Sequence, residues 1–203
     1  MQELIKVLAT NLFTSPAVAT IFISMFPVVE VKGAIPFGQS TQIWGARSLS
    51  PLLAYLCAIV GGIIISSLLL FLLKVGFYFL NKNEKYTKLK EKIKTAFQSK
   101  LKKIENKNLF KIYLYLFIFV ALPLPLTGLW SGCLIATLLN LDYLKSLLTL
   151  NLANIVAGGI ISLVSFLSKD LSIYIFYFFL LLFVLTALYY LVKILILNLK
   201  AKQ

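Results

Sequence analysis

Glu30 and Lys32 stand two residues apart in FPVVEVKGAIPFG (26–38), a stretch that is otherwise apolar. Ionisable side chains inside apolar segments are costly and usually carry function. On an extended backbone, residues two apart point to one side. The two can then form an ion pair or face one cavity. Burial favours the protonated form of a lone carboxylate, and a nearby ammonium disfavours it. A glutamate that moves between such surroundings can carry a proton, and a lysine can hold a phosphate. The plain alternative is an interfacial pair whose charged ends reach water.

A second candidate lies in ALPLPLTGLWSG (121–132). Pro123 and Pro125 break a helix interior, and Gly128 and Gly132 loosen the chain further. A helix beginning after Thr127–Gly128 presents backbone N–H groups and a partial positive charge to an anion. Thr127 is a candidate cap for that helix, and Trp130 lies in its first turn. Asn151 and Asn154 share a helix face at i, i+3. They would line a cavity or bond a neighbouring helix. Gly61–Gly62 and Gly158–Gly159 read as close helix contacts, and Trp44 and the tyrosines as interfacial anchors.

The composition says where these residues operate. Of 203 residues, 60 % are hydrophobic and 13 % charged, and the mean hydropathy is +0.93. Soluble domains carry about 25 % charged residues. Five uncharged runs of at least 22 residues occur, at 7–29, 48–73, 112–141, 146–168 and 171–192. About 20 apolar residues cross a bilayer as a helix. A soluble enzyme is excluded. The chain has no histidine, which removes the usual zinc and haem ligation and histidine-dependent catalysis. Cys57 and Cys133 lie inside apolar runs and suit neither a disulfide framework nor a metal cluster. No metal site and no cofactor are expected. No nucleotide-binding motif is present, so ATP is not the direct energy source. The N-terminus lacks the pattern of a cleaved signal peptide.

The net charge of +13 is concentrated at 82–111, which hold eleven lysines and three acids. This reads as a cytoplasmic loop obeying the positive-inside rule, with no nucleic-acid partner. Leu89, Ile93, Ala96, Phe97, Leu101 and Ile104 form an apolar stripe suited to lying on an anionic leaflet. After the loop, the arms 110–122 and 129–140 are each too short to span. They predict a re-entrant hairpin, returning near Asp142 and Lys145. Helices 143–167 and 171–197 follow, with Lys169–Asp170 turning between them and the basic tail inside. Before the loop, a span over 51–80 follows a broken element at 26–38, interrupted by Pro27, Gly33, Pro36 and Gly38. Whether 4–29 span or form one arm of a hairpin stays open at this point.

The expected fold is thus an all-α integral membrane protein, one transmembrane domain over 1–203. It has a first half (1–80), a basic loop (81–109) and a second half (110–203). The halves are inverted, each with a broken or re-entrant element and a spanning helix, and one extra span lies at the C-terminus. That is the pattern of inverted-repeat transporters.

Two motifs carry a family resemblance. Pro27–Val–Val–Glu30–Val–Lys32–Gly33–Ala34–Ile35–Pro36 resembles the P-x-x-E-x-R-G-A-I-P signature of the small multi-drug export proteins. Pro123–Leu–Pro125–Leu–Thr127–Gly128–Leu–Trp130–Ser–Gly132 resembles that family's P-L-P-G-T-G-A-W-x-G. The chain departs at Lys32 (usually arginine), Leu126 (usually glycine) and Leu129 (usually alanine). Lysine keeps the charge but loses the bidentate fork. The family looks like a relative of the DedA (VTT-domain) superfamily. The resemblance implies a transporter or flippase; DedA proteins are thought to have paired re-entrant loops and are associated with proton-dependent transport and with moving polyprenyl phosphate or phospholipid across bilayers.

The leading expectation is a membrane transporter or lipid-phosphate flippase with a midplane site formed by the two broken elements. Glu30 would carry a proton. Lys32, Gly33, Pro36, Pro123, Pro125, Thr127, Gly128 and Trp130 would contact an anionic headgroup or small amphiphile. One alternative is export of lipophilic cations, held by Glu30 and aromatic residues such as Phe37 and Trp130. Another, of a different class, is a scaffold acting through its basic loop. Membrane lipids are the expected partners, and a homodimer is compatible with a chain of this size.

Overall fold

The computed structural model describes residues 2–81, 109–124, 127–167 and 169–200. The predicted amphipathic loop (82–108) and Pro125 lie outside them. Every regular element among the described residues is helical. In chain order these are α1 (Gln2–Leu12), α2 (Pro16–Ser24), α3 (Glu30–Gln39), α4 (Thr41–Trp44), a 3-10 turn (Gly45–Arg47) and α5 (Pro51–Asn81). After the undescribed stretch come α6 (Leu109–Ala121), α7 (Leu129–Leu138), α8 (Tyr143–Leu167) and α9 (Lys169–Lys200). Pro51–Phe79, Tyr143–Leu167 and Tyr174–Lys193 are long and apolar enough to cross a membrane. The chain is an all-α, multi-pass membrane protein. Its helices divide between two compact units, Met1–Gly61 with Gly158–Gln203, and Gly62–Ala157.

In the first unit, α1 and α2 meet at a bend of 103°. The corner is built by Ser15, whose hydroxyl accepts from the Ala17 N–H at 3.2 Å, and by Pro16 at the first helical position, where a missing N–H costs nothing. The segment 4–29 is therefore no single helix. Its second part, α2, packs along α3. A turn at 25–29 joins them, and Thr20 of α2 lies against Gly38 at the far end of α3. Residues 16–39 thus form a helical hairpin. α3 also packs against α9. Residues 29–38 are all buried, so α3 has protein on every side.

Three expectations change here. Gly33, Pro36 and Gly38 do not break the element, because all three lie within the continuous helix α3. The glycines instead admit close neighbours. A Cβ at Gly33 would come within 2.6 Å of Val29 and 3.5 Å of Phe179. The break comes earlier, at the turn after Ser24. Trp44 is no interfacial anchor either. It is buried, donates its indole N–H to the Phe37 carbonyl at 3.1 Å and meets the Phe37 ring edge-on at 5.5 Å. Phe176 completes this aromatic core 4.9 Å from Phe37. Lys169 and Asp170 belong to the first turn of α9 rather than to a loop.

In the second unit, α6 and α7 pack against each other. The Asp142 N–H donates to the Tyr113 hydroxyl at 3.2 Å, so the chain leaves α7 beside the point where it entered α6. α6 and α7 therefore form a second helical hairpin, with Leu122–Leu124 and Thr127–Gly128 at its tip. α7 ends in a Schellman motif. Asn140 takes φ 52°, and the Leu141 N–H donates to the Ala136 carbonyl at 3.0 Å. α5 and α8 run antiparallel: the Tyr143 hydroxyl donates to the Ser67 carbonyl at 3.2 Å and the Ser66 hydroxyl to Asn151 Oδ1 at 3.1 Å, while Asn154 lies over Gly62.

Of the four paired glycines, Gly61, Gly62 and Gly158 each have a neighbour within 3.1 Å of an added Cβ, and Gly159 has none within 4 Å. At Gly61 the obstacle is the backbone carbonyl of Ile21, which cannot rotate away. Gly61→Ala should lower stability by roughly 1–3 kcal/mol. Gly159→Ala should leave it unchanged or raise it by up to about 1 kcal/mol through helix propensity. Thermal unfolding of the detergent-purified variants measures both.

Candidate functional site

The first candidate site is the tip of the first hairpin. Pro27 fixes its own φ there and offers no donor. Val28 then takes φ 71° and Glu30 φ 46°. Side chains with a Cβ avoid this left-handed region, at a cost of about 1–2 kcal/mol per residue. Such strain persists only where the surroundings impose it, and it clusters at functional sites. The Glu30 N–H donates to the Phe26 carbonyl at 3.0 Å, and the Gly33 N–H to the Val29 carbonyl at 2.9 Å. These bonds close the turn and start α3.

Glu30 opens α3 and Lys32 follows in its first turn. The backbone is helical, not extended, so shared strand geometry does not bring the two together. They meet through their side chains: Lys32 Nζ lies 3.2 Å from Glu30 Oε2. Glu30 is 3 % exposed and Lys32 1 %, and Lys32 ranks first by size among the fully buried side chains. A pair reaching out to water is therefore not what forms. The helix dipole favours the acid at this end and opposes the lysine, so their contact compensates Lys32 on two counts. Pro36, inside α3, gives no N–H to the carbonyl four residues back, that of Lys32. The helix ladder thus skips a rung beside the ion pair.

The second candidate is the tip of the second hairpin. Pro123 is half-buried, Leu124 exposed, and Thr127 and Trp130 half-buried. Thr127 does not cap α7. Its hydroxyl donates to the carbonyls of Leu122 and Leu124, at 2.9 and 3.0 Å, and so ties off the end of α6, where carbonyls lack helical donors. The residue before α7 is Gly128, on an extended backbone. Its N–H donates to the Ser131 hydroxyl at 3.1 Å, and that hydroxyl lies 3.2 Å from the Gly128 carbonyl. Serine three residues into a helix thus does what threonine before it was expected to do. Gly132 is inside α7, where a Cβ would come within 2.5 Å of Leu150 and 2.8 Å of Val120.

Asn151 and Asn154 lie on the side of α8 that faces α5. Asn151 accepts from Ser66 and donates its amide to the Leu147 carbonyl at 2.9 Å. Asn154 is 2 % exposed, and its amide nitrogen meets no hydrogen-bond partner. Sequence reasoning passed over Ser66 and Lys74. The signal for Lys74 was present: it is the one charged residue in α5.

The pair at the first tip makes a measurable demand on stability. Truncating either Glu30 or Lys32 to alanine strands a buried charge and should cost about 3–5 kcal/mol. The double change Glu30→Gln with Lys32→Met removes both charges and should cost far less. A double-mutant cycle in thermal or denaturant unfolding separates the two. At Val28, glycine adopts φ 71° freely, so Val28→Gly should not destabilise and is expected to gain up to about 1 kcal/mol. Val29→Gly, at a buried right-handed position, should lose stability.

Comparison with curated proteins and with solved structures gives no match. Among protein families, the one described as "Putative small multi-drug export protein" matches residues 30–160. The match begins at Glu30, includes both hairpin tips in part or whole, and ends within α8. With well over half of its length matched, the chain belongs to this small multi-drug export protein family.

Proposed function

We propose that the protein is a proton-coupled secondary transporter in which the Glu30–Lys32 pair exchanges partners during the cycle. The family description points to transport rather than to catalysis. The observation that carries the finer reading is the pair itself, a single carboxylate and a single ammonium removed from water on a helix buried all round.

A closed Glu–Lys pair is neutral and attracts no ion. Protonating the acid unbalances such a pair and leaves an ammonium to take an anion. In this reading a proton arriving at Glu30 frees Lys32 for an anionic headgroup, such as a polyprenyl or phospholipid phosphate. Gly33 and Pro36 allow close approach of the α3 backbone. Pro123, Pro125, Thr127, Gly128 and Trp130, with the N–H groups that open α7, are assigned to substrate in the same proposal. So are the relation to the DedA superfamily, the inverted relation of the two halves and a cytoplasmic position for the basic segment and the C-terminus.

The family description favours a second cargo, a lipophilic cation, for which Glu30 would be the counter-ion once Lys32 is displaced. Binding of a polyprenyl monophosphate and of a lipophilic cation to protein in nanodiscs discriminates the two. Phosphate binding that is lost in Lys32→Ala supports the anionic cargo. Cation binding lost in Glu30→Gln supports the drug-export cargo. The Glu30→Gln/Lys32→Met variant should fold yet bind neither and show no proton-coupled flux in proteoliposomes. Full flux in that variant overturns the proposal. If neutralising the lysines of 82–107 alone abolishes function, the basic segment acts as a scaffold instead.

A further inference from the structure

Lys74 has no part in the pair just discussed, yet it is the more unusual charge. It belongs to the Pro51–Phe79 span and is half-buried. Its Nζ donates to the carbonyl of Leu141, on the exit from α7, and stands 6.0 Å from the centre of the Tyr143 ring. Both partners are neutral. Asp142 is the sole acid among the described residues of its unit. It forms no ion pair with Lys74. Its Oδ1 instead accepts the Lys145 N–H at 2.9 Å and caps α8. Lys74 is held in place by hydrogen bonding, and among the described residues no acid balances its positive charge.

The same end of this unit gathers further features. The contact of Tyr113 with the Asp142 N–H brings the start of α6 to the end of α7. Tyr143 is anchored on the Ser67 carbonyl. Lys111 lies two residues before Tyr113 and Lys145 three after Asp142, and both are exposed. Ser146, in the first turn of α8, is fully buried, and its hydroxyl meets no hydrogen-bond partner. Tyrosines at a level where lysines begin mark the boundary between hydrocarbon and headgroups. A long lysine stem in apolar surroundings carries its ammonium to that boundary.

We infer that the mouth of the second hairpin is a binding site for the phosphate of an anionic membrane phospholipid. Lys74 is the inner contact, and Lys111 and Lys145 are the outer ones. The charge balance among the described residues carries this assignment. An ammonium that already has a carbonyl acceptor retains two N–H donors, and a phosphodiester supplies both the acceptors and the missing charge. The site uses neither Glu30 nor Lys32 and does not depend on which cargo is transported.

The test uses the full-length protein released from detergent in native mass spectrometry, with phosphatidylglycerol and phosphatidylcholine of matched acyl chains. Wild type should retain phosphatidylglycerol preferentially. Lys74→Gln keeps a donor for Leu141 but removes the charge, and should reduce that preference roughly fivefold, the effect of one lysine at a lipid surface. Lys74→Arg should preserve it. Equal retention of the two lipids by wild type overturns the inference, as does an unchanged preference in Lys74→Gln. Displacement of the lipid by an equal concentration of inorganic phosphate would reassign the site to a free anion and overturn the lipid assignment. If Lys74→Gln does not fold, reductive methylation of wild type decides instead. Phosphatidylglycerol should protect Lys74 and phosphatidylcholine should not, and equal labelling counts against the site.

Discussion

Glu30 and Lys32 can be withdrawn from water together because each supplies the counter-charge that replaces part of the other's lost hydration. That one contact constrains everything near it. The partners are only two residues apart at the first turn of a helix, so the turn before the helix must deliver them at the right angle. It does so through left-handed φ values at Val28 and Glu30. The strain needs an enclosure to hold it, and α2 and α9 provide one on either side of α3. The glycines at 33 and 38 let those helices come close enough to seal it. Apolar packing, backbone strain and charge pairing therefore meet in one arrangement at the hairpin tip.

The second hairpin solves a related problem by other means. It carries no ion pair at its tip, and its breaks are closed by hydroxyls. Thr127 satisfies the end of α6, and Ser131 completes the start of α7. In an apolar environment an unpaired carbonyl or N–H costs several kcal/mol, so a short polar side chain at each break is worth more there than in water. At the mouth, the helix termini are fastened by Asn140 in its Schellman turn, by Tyr113 and by Lys74. The first hairpin stores charge at its tip, and the second exposes charge at its base.

The long helices were legible in the sequence. Their hydrophobic runs and flanking charges place 143–167 to the residue and the span over 51–80 to within one residue of its end. The arms of the second hairpin were legible too, since two prolines and a glycine leave no other length of helix. The first hairpin was read only in part. Gly33, Pro36 and Gly38 look like breaks in isolation, yet packing decides whether a glycine ends a helix or admits a neighbour to it. The bend at Ser15–Pro16 lies inside an uncharged run and leaves no mark in hydropathy. The ion pair is one of three outcomes the sequence leaves open, but it forms on a helical and not an extended backbone, because left-handed Val28 and Glu30 have no sequence signal. Thr127 and Trp44 were misassigned for a common reason. Each has a partner several residues away that only the folded turn reveals.

The left-handed Val28 has a consequence for how the first tip can change shape. A glycine at that place would slide through a continuum of backbone angles, and the turn would loosen by degrees. A β-branched side chain has few permitted wells, with steep walls between them. The tip therefore has discrete choices: it keeps its present backbone, or the peptide at Val28 flips to the right-handed or extended region in one step. A residue that is expensive to hold in place thus makes the hairpin tip a switch with separate positions rather than a spring.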